Sequence, residues 1–303
     1  MSHAETQMPA AGCFTCFLVP KPFVGHAGLI QENALRCLAA LEIPTLVMGS
    51  EPGVAEAAAA CRARHLPEIP SNENGTPRVD AAFDLARRNA ETSHLCYLNA
   101  DILLPRNFSA LLEGLLGQVP QALLTGRRWN LDVDETLAFD EAGWEALEMR
   151  RSQESRCPGP AAMDYFVFPR DAFLTMPPFA IGRPGWDNWM IYQAKKEGRS
   201  VVDLSPMVAV VHQNHDFNHL PGGEAAYRNG AESLANRRMA GGYFHLLNLE
   251  DATHIAVKGR VKRRWWRLSG HLATRWVLGL TTRMPWLRER LRTLKRRLQG
   301  KVR

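Results

Sequence analysis

Between Phe14 and Leu98, short apolar runs alternate with longer segments of helical spacing, and that alternation leaves few folds open. Phe14–Val19 reads as a strand that stops at Pro20-Lys21-Pro22. Ile30, Ala34, Leu38 and Leu41 then recur at three- and four-residue intervals, which predicts a helix over 28–41. Thr45–Met48 is a second strand closed by Gly49-Ser50, Val54–Arg64 an Ala-rich helix, and Leu66–Ile69 a third short strand. A loop dense in turn formers, Ser71 to Pro77, opens a helix that Pro77 suits as a first-turn residue, with Val79, Phe83, Ala86 and Ala90 on one face. Leu95–Leu98 follows as a short buried strand. Strands separated by helices pair in parallel, because each crossover brings the chain back to the same end of the sheet. The expected class is α/β, with a mostly parallel central sheet flanked by helices.

Downstream the pattern continues with a helix at Phe108–Leu116, a strand at Ala122–Thr125 and a polar helix over Glu141–Arg151. A strand at Tyr165–Phe168, a helix at Trp186–Glu197 and strands at Val201–Leu204 and Met207–Val211 come next. A polar loop rich in His and Asn runs from Gln213 to Gly223, and no solenoid-length repeat is visible.

The net charge of +6 over 303 residues hides a division. Lys258 to Arg303 holds 16 Lys and Arg against one acid, Glu289, which leaves 21 basic and 30 acidic residues before it: a body of −9 and a tail of +15. That is an acidic domain with a basic appendage, not the evenly basic surface of a nucleic-acid binder. Trp265, Trp266, Trp276 and Trp286 share the tail with Leu at three- and four-residue spacing, and Pro285 divides it. The pattern predicts a basic amphipathic helix or helix pair suited to an anionic bilayer surface, or else a solvated or protein-binding segment. The expected organisation is a flexible 1–12, a domain over 13–257 (halves 13–130 and 131–257) and the helical tail 258–303.

The first twelve residues lack a basic segment followed by an apolar run, and no stretch holds 18 apolar residues. Several of the six Cys fall inside apolar runs, where Cys acts as a small hydrophobe, and Cys13 and Cys16 fall on or beside a strand, a poor setting for a redox or zinc pair. A cytoplasmic protein, peripheral on the inner face of the membrane through its tail, is expected.

The chemistry centres on Asn99-Ala100-Asp101. An acid just past the C-terminal end of a buried strand sits where open α/β sheets bind ligands. Its hard oxygens suit Mg²⁺ or Mn²⁺ carrying a substrate phosphate, or Asp101 merely ends the strand. The backbone N–H groups of the Asn74-Gly75 loop, ahead of a helix, could take phosphate or carbonyl oxygens, or the loop is an ordinary turn.

Asn74-Gly75, a helix bearing Ala86, Arg88 and Asn89, and then Leu95 through Asp101-Ile-Leu together resemble the core of family 2 glycosyltransferases over roughly residues 13–130. The resemblance implies the GT-A fold, a Rossmann-like sheet that binds a nucleotide-diphosphate sugar. Its DxD places the second acid on the metal that holds the diphosphate; Asp101 matches that acid and Asn99 departs from the first. It implies a metal-dependent, inverting hexosyl transfer with Mn²⁺ or Mg²⁺ as cofactor, and the basic tail points to a lipid-linked or envelope glycan as the acceptor. In Gly182-Arg-Pro-Gly-Trp186-Asp187-Asn-Trp189, the resemblance makes Asp187 the general base and lets Trp186 and Trp189 stack on sugar; otherwise Asp187 caps a helix between two core Trp. It puts His212, at a strand end, second on the metal with His215 behind it, near donor or acceptor sugar. Asp164 would touch sugar or pair with Arg127 or Arg128, and those two Arg would otherwise clamp the leaving diphosphate. Lys21, beside the first strand, would line the nucleotide loop. Two other classes stay open: a non-catalytic sugar or nucleotide-sugar binder, which the imperfect Asn99-Ala-Asp101 favours, and a sugar nucleotidyltransferase, for which Pro20-Lys21-Pro22-Phe23 is a poor phosphate loop.

Overall fold

A computed structural model describes residues 12–216 and 222–264. The N-terminal half runs β1 (Phe14–Leu18), α1 (Gly25–Ala40), β2 (Thr45–Met48), α2 (Val54–Ala60), β3 (Arg64–Leu66), α3 (Val79–Asn89) and β4 (His94–Leu98). It continues with β5 (Ile102–Leu103), α4 (Phe108–Leu116), β6 (Leu123–Thr125) and β7 (Arg128–Leu131). After it come α5 (Glu141–Glu154), β8 (Tyr165–Pro169), α6 (Trp186–Lys196), β9 (Val201–Asp203) and β10 (Val210–Gln213). Last are α7 (Gly223–Asn229), α8 (Ala231–Met239), β11 (His254–Val257) and β12 (Arg260–Arg263).

Nine strands form one sheet in the order β12-β11-β9-β6-β8-β4-β1-β2-β3, parallel except for β8 and β12. The α/β expectation of a large, mostly parallel sheet flanked by helices is met. Both faces are buried, and alternation along the central strands shows it. Cys96 and Leu98 of β4 join Val167 of β8 on one face, under α1, α2 and α4. Leu95 and Tyr97 join Phe166 and Phe168 on the other, under α3 and α6. Phe83 of α3 stacks on Phe168 with ring centroids 5.1 Å apart. Each such ring removed from water contributes about 2–3 kcal/mol. α3 holds its place because Val79, Ala82, Phe83 and Ala86 fall on its sheet-facing side, while Asp80 opens it and Arg87 and Arg88 close it in line with the helix dipole.

A smaller sheet, β5-β10-β7, stands beside the large one. The turn Asn99–Asp101 carries the chain from β4 in the large sheet to β5 in the small one, so Asp101 sits where the two diverge. Gly126 makes the matching crossing from β6 to β7: a Cβ there would lie 2.5 Å from the Tyr165 hydroxyl and 3.0 Å from the Ser205 nitrogen.

Several boundaries move. The strand expected at Met207–Val211 is β10 at Val210–Gln213, so His212 lies within the strand. The third strand is Arg64–Leu66, and the helix after the Ser71–Pro77 loop begins at Val79. The boundary expected at Lys258 falls inside a hairpin: Lys258 and Gly259 make its turn and Arg260–Arg263 pair with β11 as the sheet's edge. Lys and Arg suit a solvent-facing edge because they discourage pairing with another chain. The remainder of the helical tail expectation, 265–303, lies outside the described residues, as do 1–11 and His219. Among the described residues no helix is long and apolar enough to cross a membrane. The six Cys are free thiols, and burial pushes those of Cys13 and Cys37 up to about 11 and about 12.

Candidate functional site

Asp101 is held by its backbone. Gln213, at the end of β10, donates to the Asp101 carbonyl from its backbone nitrogen at 3.1 Å and from Nε2 at 3.2 Å. The same Nε2 donates to the Ile30 carbonyl of α1, and Asn33 Nδ2 donates to Gln213 Oε1. One buried amide thus fixes the turn, the last strand of the small sheet and the first helix against each other. β10 aligns His212 opposite Ile102 and Asn130, and Asn214 then turns the chain by donating to the Leu131 carbonyl and to Asp132 Oδ1. That turn brings His215 back over Asp101.

His215 Nε2 lies 3.1 Å and His212 Nε2 3.6 Å from Asp101 Oδ2, with the three side chains 18, 10 and 15% exposed. One ligand atom from each falls within 4.8 Å of the others, a grouping that can hold a metal ion. Among the described residues, Asp101 Oδ1 and His212 Nδ1 are buried without a hydrogen-bond partner. Leaving such atoms unpaired costs about 1–3 kcal/mol each, so the site fits a group that engages them. Burial works against ionisation of Asp101, but the imidazoles and the Lys21 ammonium outweigh it and hold the carboxyl well below its usual range. Burial pushes His212 down, which favours the neutral ring a cation needs; the hydrogen bond to Asp101 pushes His215 up.

Around this centre the expected residues divide. Lys21 faces Asp101, Arg183 and Asp216, and burial lowers its pKa. Asp164 sits at the start of β8, where Asn99 Nδ2 donates to Oδ1 at 2.8 Å and Arg128 Nη1 to Oδ2 at 2.6 Å. Arg128 also donates from Nε to Asn130. Burial opposes the Arg128 charge, and Asp164 more than offsets it. Asp187 opens α6 behind Gly185, whose φ of +117° suits glycine. Its carboxylate accepts from Asn188 N at 2.8 Å and Gly185 N at 3.1 Å, yet burial pushes it up to about 6 and Asp164 adds to the rise. Asn236 of α8, fully buried, clamps the loop ahead of Asp187 through the Ala180 and Arg183 backbone.

Other expectations are corrected. Asn74 N and Gly75 N are already used inside their loop, by Asn72 Oδ1 and the Asn72 carbonyl, and the loop is pinned to α8 by Asn72 Nδ2 on Glu232, so it offers no open phosphate nest. Trp186 and Trp189 are each 5% exposed and belong to the core: Trp186 meets Tyr97 edge-on and Trp189 meets Phe179. They face the sheet because α6 needs that apolar side to pack, which leaves no face for a sugar. Arg127 precedes β7, is exposed, and does not join Arg128 at Asp164. His215, expected behind His212 at the metal or near sugar, stands with Asp101 and His212.

Two further residues border the site: Tyr227 of α7, which burial and the nearby Asp187 and Asp164 raise to about 12, and Arg183, bound to Glu232 at 2.9 Å. Neither carried a local signal, since both owe their position to helices that return over the site late in the chain. A groove of about 980 Å³ lies against the other face of the small sheet, over Leu103, Trp129 and Val211, and has no part in this centre.

No family model matches the chain, and no curated protein matches it. Among solved structures it is similar to glucosyl-3-phosphoglycerate synthase from Mycobacterium tuberculosis in complex with Mg²⁺ and uridine-diphosphate, at 15% identity and a TM-score of 0.43, covering 85% of this chain and 88% of that one. It is also similar to S. aureus TarS 1-349, at 11% identity and a TM-score of 0.43, covering 66% of this chain and 60% of that one. Likeness at this level carries neither substrate nor residue roles across.

Proposed function

We propose that this chain is a GT-A-type glycosyltransferase that moves a sugar from a nucleotide-diphosphate sugar to an acceptor hydroxyl. The observation that carries the reading is Asp101 at the rim of the sheet, its Oδ2 3.6 Å from His212 Nε2 and 3.1 Å from His215 Nε2 and its buried Oδ1 without a hydrogen-bond partner among the described residues. A carboxylate and a neutral imidazole suit Mn²⁺ or Mg²⁺, and such a cation, when bound, neutralises charge developing on the leaving diphosphate. Lys21 supplies a second positive charge to the same phosphates. Arg128, held by Asp164, adds positive potential without leaving its partner.

Asp187 is the general base. Near pH 7 a buried carboxyl poised at about 6 is ionised but still basic enough to accept a proton. As the acceptor oxygen attacks the anomeric carbon, the carbon–oxygen bond to the diphosphate breaks and the acceptor proton passes to Asp187, an inverting displacement. Residues 258–303, with Arg260, Lys262 and Arg263 exposed on the edge strand, are read as the segment that brings the enzyme to an anionic bilayer and so to a lipid-linked or envelope glycan acceptor.

The test is release of nucleoside diphosphate from a panel of nucleotide-sugars with Mn²⁺ or Mg²⁺, alongside thermal shift with the same panel. Asp101→Ala is expected to abolish release while keeping the fold, and Asp187→Asn to keep donor binding while losing transfer. Full activity of Asp101→Ala would overturn the reading. Binding of a donor without turnover under any condition would favour the non-catalytic module.

A further inference from the structure

We propose that His215 is a third protein ligand of the cation, making a two-histidine, one-carboxylate site that selects a transition metal over Mg²⁺. The inference rests on Asp101 as the cation-holding acid and goes beyond it in naming the full donor set and its preference.

Three observations support it. The first is distance. Two ligands bound to one metal at about 2.1 Å, with angles between the octahedral and tetrahedral values, stand about 3.0–3.4 Å apart. Asp101 Oδ2 is 3.1 Å from His215 Nε2 and 3.6 Å from His212 Nε2, so two of the three edges of the triad lie in or close to that range, and the third is no longer than 4.8 Å. The second is orientation. His215 Nδ1 lies 2.7 Å from the Asp216 carbonyl oxygen, which can only accept, so Nδ1 carries a hydrogen and Nε2 is the nitrogen turned to Asp101, where a bound cation would replace the proton that Nε2 otherwise shares with Oδ2. A backbone carbonyl behind the remote ring nitrogen is the usual support of a ligating histidine. The third is burial: Asp101 Oδ1 and His212 Nδ1 are buried and have no hydrogen-bond partner among the described residues.

Metal choice follows from the donors. Mg²⁺ takes oxygen and gives up water reluctantly, whereas imidazole suits later first-row ions. Asn99 sharpens the bias: its amide is turned to Asp164, so the position that would have supplied a second hard carboxylate supplies none.

The experiment uses the full-length chain, stripped of metal by chelator and titrated calorimetrically with Co²⁺, Mn²⁺ and Mg²⁺, with the visible absorption of bound Co²⁺ recorded. Co²⁺ is expected to bind at least about tenfold more tightly than Mg²⁺, and His215→Gln to weaken Co²⁺ by about tenfold or more and shift its band. In the unmutated protein, electron spin-echo modulation from bound Mn²⁺ is expected to show two coupled imidazoles, a readout that needs no variant to fold. Wild-type Co²⁺ affinity and band in His215→Gln, one imidazole or none on Mn²⁺, or equal affinity for Co²⁺ and Mg²⁺ would each overturn the proposal. Nucleotide-sugar binding by the same preparation tests the transferase reading separately: it persists if only the third ligand is wrong.

Discussion

Asn99 Nδ2 donates to Asp164 Oδ1 across 2.8 Å, and Asn99 N donates to the Asp164 carbonyl at 3.0 Å, so these two residues lock the end of β4 to the start of β8. A carboxylate at position 99 would face the Asp164 carboxylate and lose the donor. The departure from a paired-acid motif is therefore matched by its surroundings. Asn99→Asp is expected to destabilise the protein by about 1–3 kcal/mol, read by denaturant titration at pH 7. Asn99→Asp as stable as wild type would show that the lock contributes little.

Arg128 and Arg127 are neighbours in sequence with different situations. Arg128 pairs with an Asp164 side chain only 8% exposed, while Arg127 is exposed. Removing one partner of such a pair strands the other charge, so Arg128→Ala is expected to cost about 3 kcal/mol. Arg127→Ala is expected to stay within about 0.5 kcal/mol. Thermal unfolding of the two variants side by side checks the contrast.

Asp187 predicts a pH signature. The rate of transfer under kcat/KM conditions is expected to rise with pH through about 6 as the base loses its proton, and Asp187→Asn to remove that limb. Stability runs the other way. The folded-state pKa lies above the ordinary Asp value of 3.8, so between about 4 and 6 the native state binds more protons than the unfolded one. The stability tied to the neutral acid is complete below that window and is lost as pH rises through about 6. At pH 8, Asp187→Asn is accordingly expected to be more stable than wild type, on the order of 1–2 kcal/mol, measured by urea titration at pH 5 and 8.

The basic segment predicts binding to anionic vesicles that weakens as salt rises, since exposed charges are screened over about 8–10 Å at 0.1–0.15 M. Co-sedimentation of the full chain and of a chain ending at Arg264 is expected to give strong and weak binding respectively. Equal binding by both would remove the membrane role.

The order of elements from β1 to β4, both buried faces of the sheet, and the placement of Asp101 past a strand end were legible in the sequence, because apolar periodicity and the break at Asn99 are local properties of the chain. The resemblance to family 2 glycosyltransferases, rather than spacing, pointed to Asp187, His212 and Lys21. What spacing could not reveal was partnership. Whether Trp186 met sugar or core, whether Arg127 or Arg128 reached Asp164, and whether His215 joined Asp101 depended on strand register and on the turn at Asn214. The edge strand β12 was hidden for a similar reason: four residues rich in Arg and Lys carry no strand period of their own and are fixed only by pairing with β11. Periodic burial along one segment is written into that segment, whereas a site assembled from residues more than a hundred positions apart exists only once the intervening chain has closed around it.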